Sequence, residues 1–127
     1  MRIRFRKLAC VALALAGVME AAYADQAASG QEVYEFRCRT CHGGTRPADS
    51  PLGPSLTGIV GTKAGTQASG VHSRALIDSG IVWNRDSLRR YLSDPRRAIP
   101  GTLMPVGVAD PAELESLLDY LDSGAAK

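Results

Sequence analysis

Two cysteines two residues apart, with a histidine directly after the second, limit what this chain can become more than anything else in its sequence: Cys38-Arg39-Thr40-Cys41-His42. Several chemistries use paired thiols at this spacing. A thioredoxin-like redox centre sits beside a βαβ pattern, and no strand pattern occurs here. A zinc site needs four ligands, yet the only other histidine is His72 and the only other cysteine is Cys10. A disulfide closed over two residues would be strained. What remains is covalent attachment of haem, in which both thiols form thioethers with the vinyl groups and His42 meets the iron from one face.

Cys10 does not enlarge the set, because it lies in a segment of different character. Arg2, Arg4, Arg6 and Lys7 precede an apolar run from Leu8 to Val18, and Ala22-Tyr23-Ala24 puts small residues at both positions a signal peptidase reads. The pattern predicts a secretory signal peptide over residues 1–24 and one domain over 25–127, beginning at Asp25. The apolar run falls short of the ~20 residues that cross a bilayer, so no membrane span is expected in the mature chain. Export suits paired cysteines and points to the periplasm.

Removing that segment leaves Met104 as the sole methionine. It also takes four basic residues and Glu20, so of fifteen basic and thirteen acidic groups eleven and twelve remain. So balanced a chain gives no reason to expect nucleic-acid binding, which draws on a strong basic excess. The mature length supports one domain with a modest core, to which a buried apolar macrocycle would add. A group bound only by the folded state stabilises it.

Along the chain, Ser29 and Glu32 form a capping box before a helix from about Gly30 into Cys38. Gly43 to Gly70 is rich in Gly, Pro, Ser and Thr and reads as a long ordered loop, unusual unless it wraps something. Ser73 caps a short helix through Ile77 that ends at Gly80. Asn84 caps another, with Leu88, Tyr91 and Leu92 on one face, which Asp94-Pro95 stops. Met104 follows in a stretch bracketed by Pro100, Gly101 and Pro105. Asp110 and Pro111 then open a terminal amphipathic helix carrying Leu114, Leu117, Leu118 and Leu121. The expected class is all-α: three main helices, short helices and long loops around one haem.

Elimination narrows the sixth iron ligand. Electron carriers hold iron between two strong ligands, and methionine raises the potential. Met104 is favoured because its loop suits packing poorly; His72, giving bis-histidine ligation, is the rival, and an open position is the third option.

An ordered series of landmarks runs along the mature chain: Gly30 and Tyr34, the Cys38–His42 motif, Gly53-Pro54-x-Leu56, Gly61-x-Lys63-x-Gly65, Ile81-x-Trp83, Leu88-x-x-Tyr91-Leu92, Pro95, Ile99-Pro100-Gly101-Thr102-x-Met104, and Leu117-x-x-Tyr120-Leu121. In these the chain resembles the class I cytochromes c, in particular the mitochondrial and bacterial cytochrome c2-like branch. The resemblance implies the cytochrome c fold, and that the Pro54 carbonyl accepts from the free ring N–H of His42. It implies that Tyr91 and Thr102 support Met104, that Trp83 donates to a haem propionate, and that Gly30 and Tyr34 cross Leu117 and Tyr120. Thr62 departs from an arginine near the inner propionate and His72 from a propionate-binding tyrosine. His72 is then either a propionate donor with a pH-dependent charge or a surface residue.

The expected function is single-electron carriage between redox partner proteins by a monomer, with haem c as cofactor and no enzymatic step. Alternatives are a subunit or dedicated acceptor of a periplasmic dehydrogenase, and a haem enzyme or gas sensor with an exchangeable sixth position. Arg37, Arg39, Arg96 and Arg97 are expected to rim the haem edge, while Asp110, Glu113, Glu115, Asp119 and Asp122 gather on the terminal helix.

Overall fold

The Ser29 hydroxyl accepts from the Glu32 amide at 3.3 Å while the Glu32 carboxylate accepts from the Ser29 amide at 2.8 Å, so two orphan donors are satisfied at the start of the first helical run. In this computed structural model, which describes residues 28–43, 52–67 and 70–126, the run comprises Gly30–Val33 (α1), a π-helical turn Tyr34–Cys38, and Arg39–His42 (α2). Helix therefore continues past Cys38 and delivers Cys41 and His42 from its final turn. The signal segment expected over residues 1–24 lies outside the described residues.

At the far end of the chain, Asp110 accepts from the Glu113 amide at 2.9 Å and Pro111 opens Pro111–Asp122. Between the two ends, Ser73 caps Arg74–Asp78 (α3), and Asn84 and Ser87 cap each other's amides at the start of Arg85–Ser93 (α4). Asp94 ends α4, yet its carboxylate also accepts from the Arg97 amide at 3.1 Å and starts Pro95–Ala98 (α5). That extra turn was not expected. Proline cannot continue a helix but is suited to a first helical position, so one dipeptide serves as stop and start. Pro111–Asp122 is then α6.

Leu114, Leu117, Leu118 and Leu121 are all buried along α6, as their spacing requires. Against them run α1 and α4. The α1 crossing depends on Gly30, where a Cβ would collide with the Ser116 carbonyl oxygen and lie 2.7 Å from Tyr120 Cβ. Glycine lets the backbones meet. Tyr34 then packs on Tyr120 with ring centroids 5.4 Å apart.

Ion pairs lace the outside of the α4–α6 contact. Arg85 reaches Glu115, Asp119 and Asp122, and Arg89 reaches Glu115 at 2.7 Å and Asp86 at 2.8 Å. Arg37 pairs with Glu113 at 2.7 Å, and Arg39 with Glu35. The acidic residues of α6 are thus largely answered by arginines, and two of the four arginines expected on the haem rim already have carboxylate partners.

The described residues of the long loop form no helix or strand. Their pairing with the chain before α4 is an isolated bridge, Lys63 to Val82, flanked by bonds from Gly61 N to Trp83 O at 2.7 Å and from Trp83 N to Thr62 O at 2.8 Å. These fix the backbone of Trp83, a residue 4% exposed. The described chain is all-α.

Candidate haem site

Helices and loop together enclose a cavity of about 430 Å³, and its lining includes all eight residues marked from the sequence. Cys38, Cys41 and His42 come from the π turn and α2, Pro54 from the loop, Trp83 from the bridge and Tyr91 from α4. Thr102 and Met104 come from the irregular chain after α5. His72 is not in the lining. Its Nε2 lies 2.9 Å from the Gln67 carbonyl oxygen, which can only accept, so Nε2 carries the proton; Nδ1 is buried with no partner among the described residues.

His42 is set from behind. Its Nδ1 lies 2.8 Å from the Pro54 carbonyl oxygen, so Nδ1–H donates and the lone pair resides on Nε2. Burial pushes the imidazole below its ordinary pKa, with the bond to Pro54 partly opposing. The neutral ring is the form that binds a metal. Gly53 permits this approach: a Cβ there would lie 2.6 Å from His42 Cε1.

Neither cysteine is in a disulfide among the described residues. Cys38 is buried, which pushes its thiol up to about 11 despite the nearby Arg37 charge. Elsewhere in the lining, the Tyr91 hydroxyl and Thr102 Oγ1 are 2.6 Å apart and the Met104 amide donates to Thr102 Oγ1 at 3.3 Å. Burial raises the Tyr91 phenol, and the Thr102 bond opposes it. The Tyr91 ring packs on Trp83 with centroids 5.1 Å apart.

The donor set and lining fit a thioether-bound haem. Walls are dominated by Leu, Ile and Val side chains, and no Asp, Glu, Lys or Arg belongs to the lining among the described residues. Trp83 is buried and lines the cavity, and its indole N–H is a donor that an acceptor carried by the ligand can meet. Sequence reasoning assigned no role to Gln67, which also lines the cavity; its amide nitrogen donates to Thr62 Oγ1 at 2.8 Å, the position that departs from arginine. A lone glutamine in a polar loop carries no signal. Gly53 belongs to the Gly53-Pro54-x-Leu56 landmark, and only the fold brings it against the ring.

Residues 27–125 match the family model for cytochrome c. Among relatives, cytochrome c2 of Blastochloris viridis is 37% identical over 117 residues, covering 91% of each chain. Cytochrome c of Guizotia abyssinica is 33% identical over 104 residues, 81% of this chain and 94% of its own. The solved structure of cytochrome cH from Methylobacterium extorquens has a TM-score of 0.66 at 36% identity, covering 78% of this chain and 99% of the other. Paired thiols and a pre-oriented imidazole in one apolar cavity acquire a common meaning from these matches, which span nearly the whole described chain: it belongs to the cytochrome c family, all-α proteins that carry electrons on covalently bound haem c and are not enzymes.

Proposed function

We propose that this chain is a periplasmic single-electron carrier holding one haem c, bonded through Cys38 and Cys41, with His42 and Met104 as the two axial iron ligands. The observation that carries the reading is that His42 and Met104 line one cavity whereas the rival ligand His72 does not. When bound, haem supplies a one-electron couple, and a His/Met pair keeps the coordination unchanged in both states. The protein's part is positional. Pro54 holds the His42 ring, Thr102 and Tyr91 brace the chain that carries Met104, and the leucines of α4 and α6 exclude water. Trp83 offers its N–H to a haem carboxylate.

The basic, apolar and small-residue pattern of residues 1–24 supports export, and the partners are redox proteins that meet a monomer at the haem edge. Mass spectrometry of the mature protein tests attachment, with a gain of one haem that acidified solvent does not extract. A ferric sulfur-to-iron band that Met104→Ala abolishes tests ligation. An unchanged spectrum and potential in that variant, or ready binding of carbon monoxide by the native ferrous protein, would overturn it.

A further inference from the structure

Two backbone segments meet beside the His42 ring. Gly53 lies in the first: a Cβ there would lie 2.6 Å from Cε1 and 2.8 Å from Nδ1. Its amide donates to the Cys41 carbonyl at 3.0 Å, and the next residue supplies the carbonyl that accepts from Nδ1 at 2.8 Å. Against the Gly53–Pro54 peptide stands Gly70, with φ +79°, where a Cβ would overlap the Gly53 carbonyl carbon and the Pro54 nitrogen. The peptide that holds the ring is therefore packed against both the ring and Gly70.

We propose that Gly70 is a positioning residue for His42, acting as the backstop that sets where the Pro54 carbonyl meets Nδ1–H. The inference rests on the proposed role of His42 as iron ligand. A side chain at Gly70 forces the Gly53–Pro54 peptide to move or Gly70 to withdraw. Movement toward His42 has little room, because the gap between Gly53 and the ring is too narrow for even a Cβ, so displacement passes to the Pro54 carbonyl and its bond. That bond sets how strongly the imidazole donates to iron, since a hydrogen-bonded Nδ1–H makes Nε2 more basic. Weakening it lowers donation, favours the reduced iron and raises the potential.

Gly80 provides the comparison that separates this role from backbone strain. Its φ is +67°, also in the region L-residues avoid, but a Cβ there meets nothing within 4 Å. Gly70→Ala and Gly80→Ala thus share the strain, and Gly70→Ala alone adds the collision.

The experiment uses the haem-loaded native protein, Gly70→Ala and Gly80→Ala, with reduction potential and the proton NMR resonance of His42 Nδ1–H as readouts. Gly70→Ala should raise the potential, shift that resonance and speed its exchange with deuterium about tenfold, the opening expected when one modest hydrogen bond is lost. Gly80→Ala should lower the thermal midpoint while leaving potential and resonance at their native values. Gly70→Asn is the second variant: asparagine tolerates the left-handed backbone but retains the Cβ, so it relieves strain, keeps the collision and should show the same shifts. Native values in Gly70→Ala or Gly70→Asn, or equal shifts in Gly80→Ala, overturn the proposal. Failure of the underlying reading looks different, because the native protein itself would then lack a His42 resonance displaced by the iron.

Discussion

Thr102 Oγ1 is shared by two groups: the Tyr91 hydroxyl at 2.6 Å and the Met104 amide at 3.3 Å. Through this one oxygen, α4 is tied to the chain carrying the proposed methionine ligand. Tyr91→Phe removes the tyrosine's half and should cost about 1 kcal/mol, the net value of a hydrogen bond. If the loss falls on the loop, hydroxide or another base displaces Met104 more readily. At 1.36 kcal/mol per pH unit, the sulfur-to-iron band should disappear about 0.7 unit lower than in the native protein. Thr102→Val removes both bonds and should lower it further. A titration of that band against pH checks the order native, Tyr91→Phe, Thr102→Val.

Haem is also a structural component. Leaving a cavity of about 430 Å³ empty would cost on the order of 10 kcal/mol at about 24 cal/mol per Å³, comparable with the whole stability of a small domain. The chain made without haem attachment, as with Cys38→Ala and Cys41→Ala together, should therefore lose cooperative melting and fixed aromatic signals. Circular dichroism in the near ultraviolet, dominated here by Trp83 packed on Tyr91, is the measurement. A native-like spectrum and a sharp transition in the haem-free chain would contradict it.

Much of this arrangement was legible because local signals and family landmarks agree. Ser29, Asn84 and Asp110 cap helices where their sequences place them, and the leucine spacing of α6 names its buried face. Cys38 and His42 identify the cofactor by their chemistry alone. What stayed hidden depends on contacts between segments far apart in sequence. The path from Gly70 through Gly53 to His42 has no periodicity, and Gln67 has no motif. The ion pairs that occupy Arg37 and Arg39 join those residues to carboxylates one turn away or on another helix, so a list of basic residues overstated the free charge. Asp94-Pro95 misled for another reason: a helix terminator and a helix initiator have the same sequence.

Acid should loosen the α4–α6 clasp in a defined window. Hydrogen bonds from Arg89 and then Arg85 hold the Glu115 carboxyl at about 2, below its ordinary 4.5. A carboxyl depressed on folding contributes stability that is fully present above its unfolded pKa and is lost as pH falls toward the folded one. Native protein should therefore melt above Glu115→Gln by a constant margin from pH 7 down to about 5, with the margin shrinking below 4.5 and gone near 2. Salt should shrink it at neutral pH, since the groups lie at the surface. Thermal midpoints across that range decide the matter, and a margin independent of pH would assign the effect to packing.

Partner docking should depend on Arg96 and Arg97 more than on the arginines beside the haem cysteine. Both are exposed on α5, ahead of the chain that carries Met104, and neither forms an ion pair with a described residue. Arg37, by contrast, forms a near-neutral unit with Glu113 at 2.7 Å, whose field falls away faster with distance than that of an unpaired charge. Deleting that pair as Arg37→Gln with Glu113→Gln leaves net charge unchanged and should leave the association rate with an acidic redox partner near native. Reversing Arg96 and Arg97 to glutamate should slow it about tenfold at low ionic strength, within the range over which electrostatic steering acts. The gap should close toward 1 M salt, where the Debye length is about 3 Å. Reduction potential should barely move in either variant, because steering acts on encounter and not on the iron. Stopped-flow electron transfer over a series of ionic strengths separates the outcomes. Equal slowing by both double variants would assign steering to the whole rim, and a rate indifferent to salt would leave docking to apolar contact around Leu103 and Val71 at the cavity edge.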